Sequence, residues 1–147
     1  MIYSATGHRK TNLSDDDLVS LAYWHLLSTG PKRVIVGMAL GWDMAVAEAA
    51  SLLGVPYWAA VPFDGQHNRW PDDQVRRYRH LLYAADAVHV ICPHFSMKAY
   101  EDRNRWMIDR CDRVMAYWDG SVSGGTANAI RYSRKKNKPI DNLCVPA

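Results

Sequence analysis

A chain of 147 residues, 48% of them hydrophobic, is long enough for one domain with a real core, without disulfides or metals to hold it. A net charge of +3 suits an anionic ligand without demanding a nucleic-acid partner. No stretch approaches the roughly 20 apolar residues of a membrane span, and Met1-Ile2-Tyr3-Ser4 has no basic segment ahead of a long apolar run, which argues against a secretory leader and a membrane partner.

Ile2 to Ala5 is a short strand candidate that runs into Thr6-Gly7-His8-Arg9. Ser14 reads as a helix N-cap, with Asp15 to Asp17 in the first turn where carboxylates favour the dipole. Leu18, Leu21, Ala22 and Leu26 recur at helical spacing, and Gly30-Pro31 stops the helix. Val34-Ile35-Val36 is a compact apolar run, hence a buried strand. It leads through Gly37-Met38-Ala39-Leu40-Gly41-Trp42-Asp43 into a helix with Ala45, Val46, Ala49, Leu52 and Leu53 inward.

Val55 to Val61 is a third strand, and residues 62–71 form a polar, aromatic loop. Asp72 to Ala85 is a helix with a charged outer face, and Ala87 to Ile91 is a fourth strand. A loop with Pro93 and His94 precedes a helix over Tyr100 to Arg110. Arg113 to Trp118 is a fifth strand, Gly120 to Gly125 a turn, Thr126 to Lys136 the last long helix, and Pro139-Ile140 the start of a terminal strand candidate. The basic run Arg131, Arg134, Lys135, Lys136 and Lys138 reads as a solvated helix end. Strand and helix alternate throughout, which predicts a single Rossmann-like α/β domain over 1–147, with a mainly parallel sheet and helices on both faces.

In such sheets ligands sit outside the carboxyl ends of the strands. Gly7 permits close backbone approach there, His8 lies beside it, and Arg9 can grip a phosphate. Gly37 and Gly41 leave main-chain N–H groups free to face an anion, while Asp43 caps the helix or accepts from ribose hydroxyls. Ser123-Gly124-Gly125-Thr126 offers consecutive backbone donors and two hydroxyls at a positive helix end. Asn104 and Arg105 are within reach of the same cleft, whereas Glu101 and Arg103 are expected to face solvent. Phe63 or Trp70 is a candidate to stack on a base, with Gln66 reading its edge; the alternative is a hydrophobic cluster under a loop.

Metal-ligand spacing is absent among the six histidines, and His25 and His89 read as core residues. No Walker A lysine loop or Gly-x-Ser-x-Gly elbow is present, and no cofactor is implied. Cys92, Cys111 and Cys144 are odd in number and unpaired in spacing, which fits ordinary thiols in a reducing, cytoplasmic setting.

Taken in order, these strings resemble the SLOG superfamily in its YspA/YpsA-like branch: Thr6-Gly7-His8-Arg9, Gly37-x-x-x-Gly41-x-Asp43-x-Ala45, Pro62-Phe63-x-x-Gln66-x-x-x-Trp70, Ala85-Asp86, Asn104-x-x-Met107-Ile108-Asp109-x-x-Asp112 and Ser123-Gly124-Gly125-Thr126. The resemblance covers residues 1 to about 140. It implies a nucleotide or nucleotide-derived ligand, held by a sensor or sequestering module. Arg103-Asn104-Arg105 with the later glycine loop also resembles the DNA-processing protein DprA, which implies single-stranded DNA as an alternative partner. The lonely-guy branch, which hydrolyses N-glycosidic bonds of nucleotides, implies an enzymatic alternative. Its catalytic Glu, three residues beyond the Thr, is replaced here by Ala129, and Ser123 departs from its Pro-Gly-Gly-x-Gly-Thr pattern. A carboxylate is needed for that chemistry, so the binding module is the preferred expectation, with Asp43, Glu48, Glu101 and Asp119 as possible substitutes. Homo-oligomerisation is expected only by analogy with related folds.

Overall fold

The computed structural model describes residues 1–145. Its elements follow the expected alternation: β1 Ile2–Gly7, α1 Asp15–Thr29, β2 Arg33–Val36, α2 Trp42–Leu53, β3 Tyr57–Phe63, α3 Asp72–Ala84, β4 Ala87–Cys92, α4 Met97–Asp109, β5 Arg113–Tyr117, α5 Gly125–Lys135 and β6 Ile140–Asn142. The six strands form one sheet in the order β4-β3-β2-β1-β5-β6, and every neighbouring pair is parallel. This is a Rossmann-like α/β fold, as the alternation predicts.

Ser14 caps α1 by accepting from Asp17 N at 3.1 Å, and Gly30 closes the helix in the left-handed region. Leu18, Ala22 and Leu26 are its buried face. Helix α2 is buried on nearly every side, so its many alanines let it lie close between α1 and the sheet. Helix α4 begins at Met97, a turn earlier than expected, because Ser96 caps it by accepting from Ala99 N at 3.1 Å.

The far edge of the sheet is tied by Asp141 on β6. Its carboxylate accepts from Arg113 Nη2 at 2.6 Å and from the Tyr3 hydroxyl at 2.5 Å, with His25 Nε2 at 3.3 Å. The Arg113 hydrogen bond leads in holding this carboxyl down at about 2, so its stabilising contribution is present above the ordinary Asp range and is lost as pH falls through 2. His25 is thus half-buried in a polar network, while His89 lies between the Trp58 and Trp106 rings. Among the described residues, no helix is long and apolar enough to cross a membrane.

Candidate functional site

Strand order reverses direction at β1. From β1 the chain moves outward to β2, β3 and β4; it then returns to the other side of β1 through β5 and β6. Adjacent loops diverge at such a switch point and leave a crevice between them. A cavity of about 670 Å3 opens there. Its wall carries Thr6 and Gly7 from the end of β1, His8 and Arg9 just after it, Asp43 from α2, and Ser123, Gly124, Gly125 and Thr126 between β5 and the first turn of α5. Asn104, Glu101, Arg103 and Asn128 contribute from α4 and α5.

The structure therefore brings together Gly7, His8, Arg9, Asp43, Asn104 and the whole Ser123–Thr126 loop. Gly37, Gly41, Phe63, Gln66, Trp70 and Arg105 lie outside this lining. The β1 and β5 loops are also tied directly: His8 Nε2 stands 2.9 Å from Asp119 Oδ1 and accepts from Asp119 N at 3.1 Å.

The glycines divide into two kinds. A Cβ on Gly7 would lie 2.5 Å from Trp42, one on Gly37 2.5 Å from Arg103 Nη1, and one on Gly41 2.5 Å from the His8 and Arg9 carbonyl oxygens. These three glycines make room for the protein's own atoms. At Gly124 and Gly125 nothing lies within 4 Å of the Cβ position. Among the glycines that line the cavity, these two have open space in the Cβ direction, and Gly124 with φ +102° needs the freedom that glycine has.

Three helix N-termini converge here, in different states. Ser96 caps α4. At α2, Trp42 N donates to His8 O at 3.3 Å, and the Asp43 carboxylate accepts from Ala39 N at 3.4 Å. Helix α5 starts after Gly124 with no side-chain cap and no acidic residue in its first turn. Its first N–H groups point out of the helix with nothing from their own turn to receive them.

Arg103, expected in solvent, is 5% exposed. Its Nη1 donates to Gly37 O at 2.5 Å and to Ala60 O at 3.4 Å, and its Nε donates to Asn104 Oδ1 at 2.9 Å. Gln66 Nε2 donates to Gly37 O at 3.4 Å and Met38 O at 3.3 Å, so its amide is engaged by the same loop. Met38, whose carbonyl accepts from Gln66, sits at φ +60°, a backbone state rare outside glycine. Among the described residues, the Arg103 guanidinium and the Asp43 carboxylate converge over Gly37, whose Cβ position is 2.5 Å from one and 2.8 Å from the other.

Burial pushes the Asp43 carboxyl up to about 6, against the opposing pull of Arg103, the Ala39 N–H and Arg9. Burial likewise lowers Arg103, with Asp43 acting against it. An acid raised in the folded state binds more protons there than in the unfolded chain between about pH 4 and 6, so its contribution to stability falls as pH rises through that window. Asp43→Asn removes this slope. In thermal melts the variant's Tm minus that of the parent should grow from pH 4 to 6 and stay level above; a constant difference would contradict the assignment.

Of the carboxylates available to substitute for a missing catalytic Glu, Asp43 and Glu101 line the cavity. Glu48 pairs with Arg77 at 3.1 Å, and Asp119 stands outside the lining. Ala129 is 2% exposed and packs with Ile108 and Ile130. Sequence reasoning passed over Phe95, Met97 and Tyr100, which form a wall of the cavity from the β4–α4 loop and the start of α4. Their place beyond the carboxyl end of β4 was the available signal. Among the described residues, no three His, Cys, Asp or Glu side chains gather as a metal site.

Relatives agree with this architecture. The chain is 31% identical over 120 residues to the SPbeta prophage-derived protein YoqJ of Bacillus subtilis strain 168, covering 70% of each chain. DNA processing protein A from Helicobacter pylori, whose structure describes a single-stranded DNA binding mode, superposes with a TM-score of 0.70 at 21% identity. That match covers 95% of this chain but 63% of the Helicobacter protein, so the chain spans less than two thirds of that neighbour. The molybdenum cofactor binding protein from Rippkaea orientalis superposes with a TM-score of 0.64 at 16% identity, over 97% of this chain and 77% of that one. At these identities the two structures share the fold. A family model for the YspA SLOG family matches residues 18–145, and with the switch-point cavity and glycine loop in place, the chain belongs to that family.

Proposed function

We propose that the cavity binds a nucleotide or nucleotide-derived ligand, with its phosphate on the Ser123–Thr126 loop, and that the protein acts as a sensor or sequestering module. One observation carries this reading: of the three helix starts at the cavity, α4 has a side-chain cap and α2 gives its first N–H to the His8 carbonyl, whereas α5 has neither and is bare of side chain at Gly124 and Gly125. Backbone N–H groups and the helix dipole there favour an anion. Arg9, on the same cavity, supplies a fork of donors for phosphate oxygens, and the Ser123 and Thr126 hydroxyls add neutral ones. Asp43 on the floor can accept from sugar hydroxyls. The volume, about 670 Å3, lies within the range of small-molecule sites.

A hydrolytic reading has its own support in Asp43. A buried carboxyl that titrates near 6 and faces a cavity is suited to proton transfer near neutral pH. Single-stranded DNA, bound by the Helicobacter neighbour, is a polymer of nucleotides, and the exposed Arg131, Arg134 and Lys135 lie on α5 with Lys136 just beyond its end.

Calorimetric titration with AMP, GMP, CMP and UMP, followed by chromatography of each mixture, tests these readings together. Saturable binding of at least one without release of base is the expected result. Free base would convert the protein into a hydrolase. No binding of any of the four would sink the proposal, and a salt-sensitive shift of a single-stranded oligonucleotide would then move the function to DNA.

A further inference from the structure

The cavity has unlike walls. Main-chain donors, hydroxyls and Arg9 line one part, while Phe95, Met97 and Tyr100 make another part apolar. Phe95 is 65% exposed and Met97 77% exposed. Single exposed apolar residues are ordinary and need no explanation. Phe95 differs because it is backed by a buried ring and borders a cavity. Phe63, the last residue of β3 and 7% exposed, meets Phe95 edge to face, with centroids 5.2 Å apart and planes at 85°. The same Phe63 meets Tyr100 at 5.5 Å and 87°. The Arg9 guanidinium lies 5.4 Å from the Tyr100 ring centroid, so Tyr100 is already engaged. Phe95 is left as a ring held from behind and open in front.

We infer that Phe95, flanked by Met97, is the stacking platform for a planar heteroaromatic base, so the site takes base-bearing nucleotides in preference to simple sugar phosphates. The inference rests on the phosphate reading above and adds the other end of the ligand to it. A rigid aromatic face accepts any base, because every base has a π-face, and the contact is of the size measured for stacked bases. Met97 adapts its shape to the edge of the ring. In this arrangement Phe63 does not touch the base; it positions Phe95.

The test is calorimetry on the full chain with AMP, GMP, CMP and UMP, and with ribose 5-phosphate measured in competition against the tightest of them. Phe95→Ala should weaken that nucleotide about tenfold or more while leaving ribose 5-phosphate unchanged, and Phe95→Trp should retain nucleotide affinity. Because Phe95 is mostly exposed, the substitutions leave the fold intact, which melting curves check. An unchanged nucleotide affinity in Phe95→Ala, or an equal loss for ribose 5-phosphate, overturns the platform alone. Nucleotide binding that survives Gly125→Asp overturns the phosphate reading instead, and a parent protein that binds none of the five probes overturns both.

Discussion

Gly125→Asp should abolish nucleotide binding, by at least about 100-fold or roughly 2.7 kcal/mol, while leaving the fold as stable as before or slightly more so. The two effects have opposite signs for one physical reason. Gly125 is the first residue of α5, where a carboxylate complements the helix dipole and contributes about 0.3–1 kcal/mol of stability. Its Cβ position is empty to 4 Å, so nothing is displaced. The same carboxylate would take the N–H groups that the phosphate needs and repel its charge. Matched melting and titration experiments separate the two. An unchanged affinity for the best-binding nucleotide would remove the α5 N-terminus from the site.

Arg103→Met should lower stability by about 1–3 kcal/mol, the scale for leaving buried acceptors without their donor. The loss comes from what remains. Asp43 would keep the Ala39 N–H and the field of Arg9 but lose the cation that opposes its burial most, and Gly37 O would lose its shortest donor. Removing both charges, in Asp43→Asn with Arg103→Met, should recover part of the loss, since a neutral amide is far less costly to bury than an unpaired carboxylate. The single variant should also regain stability as pH falls, because protonation neutralises Asp43. Urea denaturation of the two variants and the parent provides the comparison. A loss below about 1 kcal/mol for Arg103→Met would show that the guanidinium is not what holds the cavity floor.

These expectations depend on features that differ in how far local sequence reveals them. Strand and helix alternation is written in apolar runs and in caps such as Ser14 and Gly30, because each element must bury its own face and stop its own hydrogen bonding. The Ser123–Thr126 loop was legible for the same local reason: a strand before it, a helix after it, and glycines between. Arg103 was not. In Glu101-Asp102-Arg103-Asn104-Arg105 every neighbour is polar, and only the approach of Gly37 and Asp43, some 60 residues earlier, turns one of the arginines inward. Gly7, Gly37 and Gly41 look in sequence like Gly124 and Gly125. Whether a missing Cβ makes room for a ligand or for Trp42 is settled by what packs across it, and that is a property of the tertiary fold. Gln66 and Trp70 turned out to belong to a packed loop, with Trp70 against Tyr78 at 5.3 Å, for the same reason.

The central place of β1 in the sheet bears on how the molecule is made. During synthesis from the N-terminus, β1 can pair on one flank as soon as β2 emerges, yet its other neighbour, β5, starts only at Arg113. Until then the growing chain carries a half-sheet with β1 as an open edge, the kind of strand border that invites mispairing. The crevice itself needs the loop that ends at Thr126, so no ribosome-bound fragment short of that point can hold a ligand in it. A ligand held as proposed would therefore stabilise only chains that have passed Asn128, and would favour them over shorter ones.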